Sequence, residues 1–164
     1  ARKINERQPS EIANFIYNFT KKIKNFSKKP KIALIGLAFK GSPITDDLRG
    51  SMAITVFKEL KNKFKQSKFF GYDPVVSVLN IKKLGLRETY SLSNAYKNKS
   101  LIIILNNHSV LSNMPIEKFS KQLKKPAMIY DFCNHFDSNK LKLPKNVEYI
   151  SLGSHCKNTY FNKK

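Results

Sequence analysis

The sequence predicts an α/β domain: a doubly wound sheet of about six mainly parallel strands, preceded by an N-terminal helix. Three observations carry this. Apolar runs of strand length alternate with amphipathic helical segments, the order that builds βαβ units. One run, Leu101-Ile102-Ile103-Ile104-Leu105, is uninterrupted, as expected of a central parallel strand covered on both faces. The 164 residues are also enough for one domain that buries roughly 68–70% of its unfolded surface.

In chain order, Ser10 is placed to cap a helix whose apolar positions, Ile12, Phe15, Ile16, Phe19, Ile23 and Phe26, follow the i, i+3, i+4, i+7 template. Its stripe is expected to pack on the domain itself. Lys28-Lys29-Pro30 breaks that helix and launches a strand from Lys31 to Gly36. A polar loop then leads to a helix over Ser51–Phe64, with Ala53, Ile54, Val56, Phe57, Leu60 and Phe64 turned inward, and a strand over Lys68–Tyr72 ends in the turn signal Asp73-Pro74. This is a βαβ unit, whose crossover is right-handed. A helix from Val75 to Leu84 stopped by Gly85, an edge strand over Leu86–Glu88 and a brief helix over Ser91–Lys97 lead to the central strand. A helix starting at Pro115 and running to Leu123 precedes the strand Ala127–Asp131, and Val147–Ile150 forms the last strand. The pattern is that of a Rossmann-like sheet.

The net charge of +20 calls for a polyanionic partner or a compositional origin. Nearly all of it is lysine; the arginines are Arg2, Arg7, Arg49 and Arg87. Nucleic-acid readers use arginine for bidentate contacts and exposed aromatics for stacking. Here the lysines are spread over every helix and most aromatics fall at core spacing, so a solvated surface is favoured, and neither nucleic acid nor membrane is expected as a partner. Cys133 and Cys156 show no metal-ligand or disulfide-framework spacing, which fits a reduced, cytoplasmic chain with no metal site. No long apolar run or signal pattern is present. The abrupt start at Ala1 suggests a fragment.

The loop from Gly36 to Ser51 holds the candidate chemistry, because ligands of open α/β sheets sit outside the carboxyl ends of the strands. Gly36, Gly41 and Ser42 approach a P-loop, but Lys40 precedes the second glycine where the P-loop lysine follows it. Gly-x-Gly-x-x-Gly is absent after every strand, so a dinucleotide fingerprint fails too. Lys40 can still bind a diphosphate or donate to sugar hydroxyls, beside an apolar face on Phe39. The bland alternative is a core Phe39 and a solvated Lys40. Asp46 and Asp47 would repel phosphate, so they are expected to cap the next helix or brace Lys40 and Arg49. Arg49 is either a fork for phosphate or the ion-pair partner of Asp46 or Asp47. Two further strand ends contribute Asn106-Asn107-His108-Ser109 and Asp131-Phe132-Cys133-Asn134-His135. His108 alone reads more readily as structural. Cys133, with His135 two residues on, could be a nucleophile, but a small buried apolar role is the favoured reading.

Gly36-Leu37-Ala38-Phe39-Lys40 followed by Thr45-Asp46-Asp47-Leu48-Arg49-Gly50-Ser51 resembles the signature opening the C-terminal domain of the UDP-glucose/GDP-mannose dehydrogenase family. The resemblance extends from Ala1 to about Gly153. It implies NAD-dependent oxidation of the C6 alcohol of a nucleotide sugar to a carboxylate, in polysaccharide biosynthesis, within a homodimeric parent. On this footing residues 1–28 end a central interdomain and dimerisation helix, 29–156 bind the UDP-sugar and 157–164 form a tail. The catalytic cysteine and the NAD-binding half would lie before Ala1, leaving this stretch inactive alone. The resemblance puts Lys40 on the sugar nucleotide and Arg49 on the NAD diphosphate; Phe39 beside Lys40, and Asn107, His108 and Asn134 at the neighbouring strand ends, are the further substrate-binding candidates. Two departures stand out. Four residues separate Lys40 from Thr45 where the commoner pattern has two, and Phe132-Cys133 replaces the Gly-Arg that many UDP-glucose dehydrogenases carry. The second favours UDP-N-acetyl amino sugars over UDP-glucose. The rival readings are a stand-alone nucleotide-binding regulatory module and a basic nucleic-acid-binding protein.

Overall fold

The computed structural model describes residues 2–41 and 43–151; Ala1, Ser42, Gly153, Cys156 and the expected tail lie outside the described residues. Strands β1 (Ile32–Ile35), β2 (Phe69–Tyr72), β3 (Arg87–Glu88), β4 (Leu101–Ile104), β5 (Ala127–Asp131) and β6 (Val147–Ser151) form one sheet in the order β3-β2-β1-β4-β5-β6. Every pairing is parallel. The order reverses between β1 and β4, which makes their carboxyl ends the topological switch point where this architecture opens a crevice.

Because successive strand residues point to opposite faces, each strand feeds two cores. Ile32 and Leu34 of β1, Leu101 and Ile103 of β4, and Met128 and Tyr130 of β5 pack under α1 (Arg2–Lys22), α2 (Met52–Lys63) and α3 (Val78–Lys83). Ala33, Ile35, Ile102, Ile104 and Ile129 pack under α4 (Leu92–Tyr96), α5 (Ser109–Ser112) and α6 (Ile116–Ser120). All four residues of β1 and of β4 are buried, the two-sided covering that an unbroken apolar run requires.

The helices differ from the expectation in several details: α5 was not expected, and α6 spans Ile116–Ser120 where a helix from Pro115 to Leu123 was expected. The first helix begins at Arg2 and runs through Pro9 and Ser10, so Ser10 is not its cap. A proline costs one backbone bond, and tertiary packing of Ile12, Ala13, Ile16 and Phe19 outweighs it. The helix ends at Lys22, and the last residue of the expected stripe, Phe26, packs half-buried against the same core from the turn beyond. The third helix starts at Val78 rather than Val75, because the Asp73 carboxylate takes the N–H groups of Val75 and Val76 and Ser77 supplies the cap. Ser51 and Ser91 cap α2 and α4 in the same way.

Candidate functional site

The crevice is assembled around a carboxylate. Asp73 directly follows β2 and is buried; its Oδ2 accepts from the backbone N–H of Leu37 at 2.7 Å and of Ala38 at 2.9 Å, and from Asn106 Nδ2 at 3.3 Å. Its Oδ1 takes the Val75 and Val76 amides at 2.8 and 3.1 Å. One side chain thereby fixes the loop after β1, the loop after β2 and the loop after β4. Ser51 adds a second tie, its hydroxyl donating to the Leu37 carbonyl at 2.6 Å while accepting from Ala53 N–H.

The two loops at the switch point are pressed together. Gly36 sits at φ +86°, and a Cβ there would fall 2.7 Å from the Asn106 side chain. A Cβ on Gly41 would overlap the His108 backbone, so glycine is required by close approach. The Gly41 amide donates to Asn107 Oδ1 at 2.9 Å. Asn106 is the hub of the far side: its Oδ1 accepts from His108 N–H, and its carbonyl accepts from His135 Nε2 at 2.8 Å, which places the proton of that imidazole on Nε2.

The predicted site residues divide accordingly. Phe39 is 52% exposed and Lys40 is exposed, its ammonium 5.9 Å from the Phe39 ring centroid; Phe39 is therefore not a core residue. The Phe39 amide donates to the Asp47 carbonyl at 2.6 Å, which draws the returning arm of the loop, with Arg49, alongside. Arg49 Nε and Nη2 bond the two oxygens of Asp47, each at 3.0 Å, and its side chain is 93% exposed. The hydrogen bond to Arg49 holds the Asp47 carboxyl below its usual range. Asp47 thus braces Arg49, and the expectation that an aspartate caps α2 gives way to Ser51. Asn107 holds Gly41. His108 is buried and its Nδ1 accepts from Val110 N–H, capping α5. Asn134 is exposed, at φ 54°.

The loop after β5 is ordered by Asp131, buried, whose oxygens accept from the Cys133 and His135 amides and from Tyr149 Oη at 2.6 Å. Burial raises its pKa against the pull of these bonds. Burial, then the Asp131 charge, pushes the Cys133 thiol up to about 12. Such a shift works against a reactive thiolate; Cys133 is half-buried rather than fully enclosed. Among the described residues no cluster of three or more metal-ligating side chains occurs.

Chemically, the β1 turn is closed to a dinucleotide. The amides that would cradle a pyrophosphate are given to Asp73, which itself stands where such folds place the ribose-binding acid. NAD does not fit there. Beside this closed turn, the exposed Phe39 and Lys40 and the β4 and β5 loops form an outer rim. Asp73 and Asn106, which tie these loops together, were not singled out as site residues from sequence: Asp73 showed only as half of the Asp-Pro turn signal, and Asn106 only as the first residue of the segment after β4.

Residues 33–138 match the family model described as UDP-glucose/GDP-mannose dehydrogenase family, UDP binding domain. A UDP-N-acetyl-D-mannosamine dehydrogenase from Pyrococcus horikoshii is 29% identical over 130 residues, 79% of this chain and 28% of that protein. A UDP-glucose 6-dehydrogenase from Rickettsia conorii is 29% identical over 155 residues, 93% of this chain and 34% of that protein. The solved UDP-D-ManNAc dehydrogenase from Pyrococcus horikoshii superposes with a TM-score of 0.73 at 25% identity, over 93% of this chain and 32% of the other. The UDP-N-acetyl-mannosamine dehydrogenase from S. aureus gives 0.68 at 26%, over 92% and 31%. The chain spans about a third of the length of these proteins.

Proposed function

The chain belongs to the UDP-glucose/GDP-mannose dehydrogenase family, and from that premise we propose that it seats the UDP-sugar of an NAD-dependent nucleotide-sugar 6-dehydrogenase. The observation that carries this is the locked switch point: Gly41 against the His108 backbone, with Phe39 and Lys40 standing free at its mouth. Lys40 supplies a mobile point charge for the diphosphate or sugar hydroxyls, Phe39 an apolar wall for a ring, and Asn107, His108 and Asn134 the polar rim. Arg49 has five donors and spends two on Asp47; the rest of the fork, held in orientation, serves the NAD diphosphate from across a cleft. NAD supplies the oxidant when held by another part of the parent chain.

The distribution of exposed apolar side chains supports a partner on this side. Among the described residues the exposed large ones are Phe39 and Ile44 after β1, Val75, Val78 and Leu79 after β2, Tyr90 after β3 and Val110 after β4. All follow carboxyl strand ends, the edge that the NAD-binding part would cover. Cys133, where many UDP-glucose enzymes carry arginine, favours a UDP-N-acetyl amino sugar.

Titration calorimetry with UDP, a UDP-N-acetyl amino sugar and UDP-glucose tests the proposal. Binding to UDP that weakens roughly ten- to a hundredfold in Lys40→Ala is expected for one charge-assisted contact. No UDP binding by the wild-type chain would overturn it.

A further inference from the structure

The topology sorts the lysines in a way that composition conceals. Residues 23–31, 64–68, 97–100 and 121–126, which lead into β1, β2, β4 and β5, hold eleven lysines and no aspartate or glutamate. They line the amino edge of four adjacent strands, opposite the site described above. All are exposed but Lys99, whose Nζ is held by the Lys97 carbonyl at 2.9 Å. The long segment leaving β1, residues 36–51, carries one lysine and one arginine against two aspartates. A general bias toward lysine would load both edges alike. At the same edge a cleft of about 550 Å³ between the ends of α1 and α2 bears Lys21, Lys28 and Lys63 and no acidic residue.

We infer that this amino edge is a peripheral docking face for an anionic phospholipid surface, against the expectation of no membrane partner drawn from composition alone. Four strands side by side, about 4.8 Å apart, set the charges of their leading segments in one extended, single-signed array. Juxtaposed lysines of that kind are attracted to anionic leaflets additively. The stretches contain no arginine, so bidentate recognition of guanine or phosphate is absent. Among the described residues none of the exposed large apolar side chains lies on this edge, which disfavours both base stacking and bilayer insertion and leaves headgroup electrostatics. No helix among the described residues is long and apolar enough to span a bilayer.

Co-sedimentation of the chain with phosphatidylcholine vesicles, and with vesicles containing about a third phosphatidylglycerol, tests this at low and near-physiological salt. Binding to the anionic vesicles alone, weakening with salt, is expected. Lys29→Gln/Lys65→Gln/Lys124→Gln should lower the partition coefficient by about a hundredfold. The equally charged control Lys58→Gln/Lys118→Gln/Lys142→Gln should lower it only a fewfold. Both triples change exposed side chains, and circular dichroism confirms that they fold. Absence of binding to anionic vesicles, or equal loss in the two triples, overturns the inference; tighter binding to duplex DNA than to the vesicles at equal salt overturns it in favour of nucleic acid. UDP binding is unaffected by the edge triple, so the two proposals fail separately.

Discussion

Asp73 and Asp131 invite comparison: both are buried carboxylates at carboxyl strand ends, flanking the β1–β4 switch point on its two sides. Asp131 organises mainly its own loop, taking amides two and four residues on, with Tyr149 as its distant partner. Asp73 reaches amides 35 and 36 residues upstream and a side chain 33 residues downstream. The first shapes a loop, whereas the second holds three loops in register. A strained or shifted Asp131 loop would displace Asn134; loss of Asp73 would displace the whole wall that carries Phe39 and Lys40.

The sharpest way to break this contrast is Asp73→Ala. It strands the buried amides of Leu37 and Ala38, each costing about 1–3 kcal/mol unpaired, so chemical denaturation should register a loss of roughly 3–5 kcal/mol and UDP binding should vanish with it. Next is Gly41→Ala, whose methyl collides with the His108 backbone. Stability should fall by about 1–3 kcal/mol as overpacking does, and UDP affinity should fall in the same variant because the β1 and β4 loops separate.

Asp131 makes a subtler prediction. Burial holds its carboxyl above the ordinary 3.8 in the folded chain, so the folded state binds the extra proton. The associated stability is fully present below pH 3.8 and is lost as pH rises through the raised folded value. Urea midpoints measured across that window should decline with pH in the wild type and run flatter in Asp131→Asn. The smallest effect belongs to Arg49→Ala. The Asp47 pair is solvent-exposed, such pairs contribute little, and the melting midpoint should not move, while any loss should appear only in assays that include NAD and the rest of the parent enzyme.

The same contrast explains what could be read in advance. Apolar runs such as Leu101–Leu105 are written in neighbouring residues, so the strands, the parallel sheet and the main helices were legible, whereas the cap of α2 was expected at Asp46 or Asp47 and is Ser51. Helix α5, four residues long, is too short to show a period. Ser10 looked like a cap because capping residues are judged locally, and the packing that carries α1 through Pro9 is tertiary. Phe39, Lys40 and Arg49 were visible as a loop of unusual chemistry; that Asp73 and Asn106 hold the loop in place depends on pairings more than thirty residues apart. The lysine polarity was hidden for a related reason. It emerges only once the strand directions sort the connecting segments into two edges.

The central claim is that the rim of the β1–β4 crevice receives the UDP moiety. Recording amide chemical shifts of the ¹⁵N-labelled chain during titration with UDP addresses it directly. Saturable shifts are expected at residues 39–41, 106–108 and 133–135, with the lysine-rich amino edge silent. Shifts confined to the amino edge, or none at the crevice at saturating UDP, would contradict it.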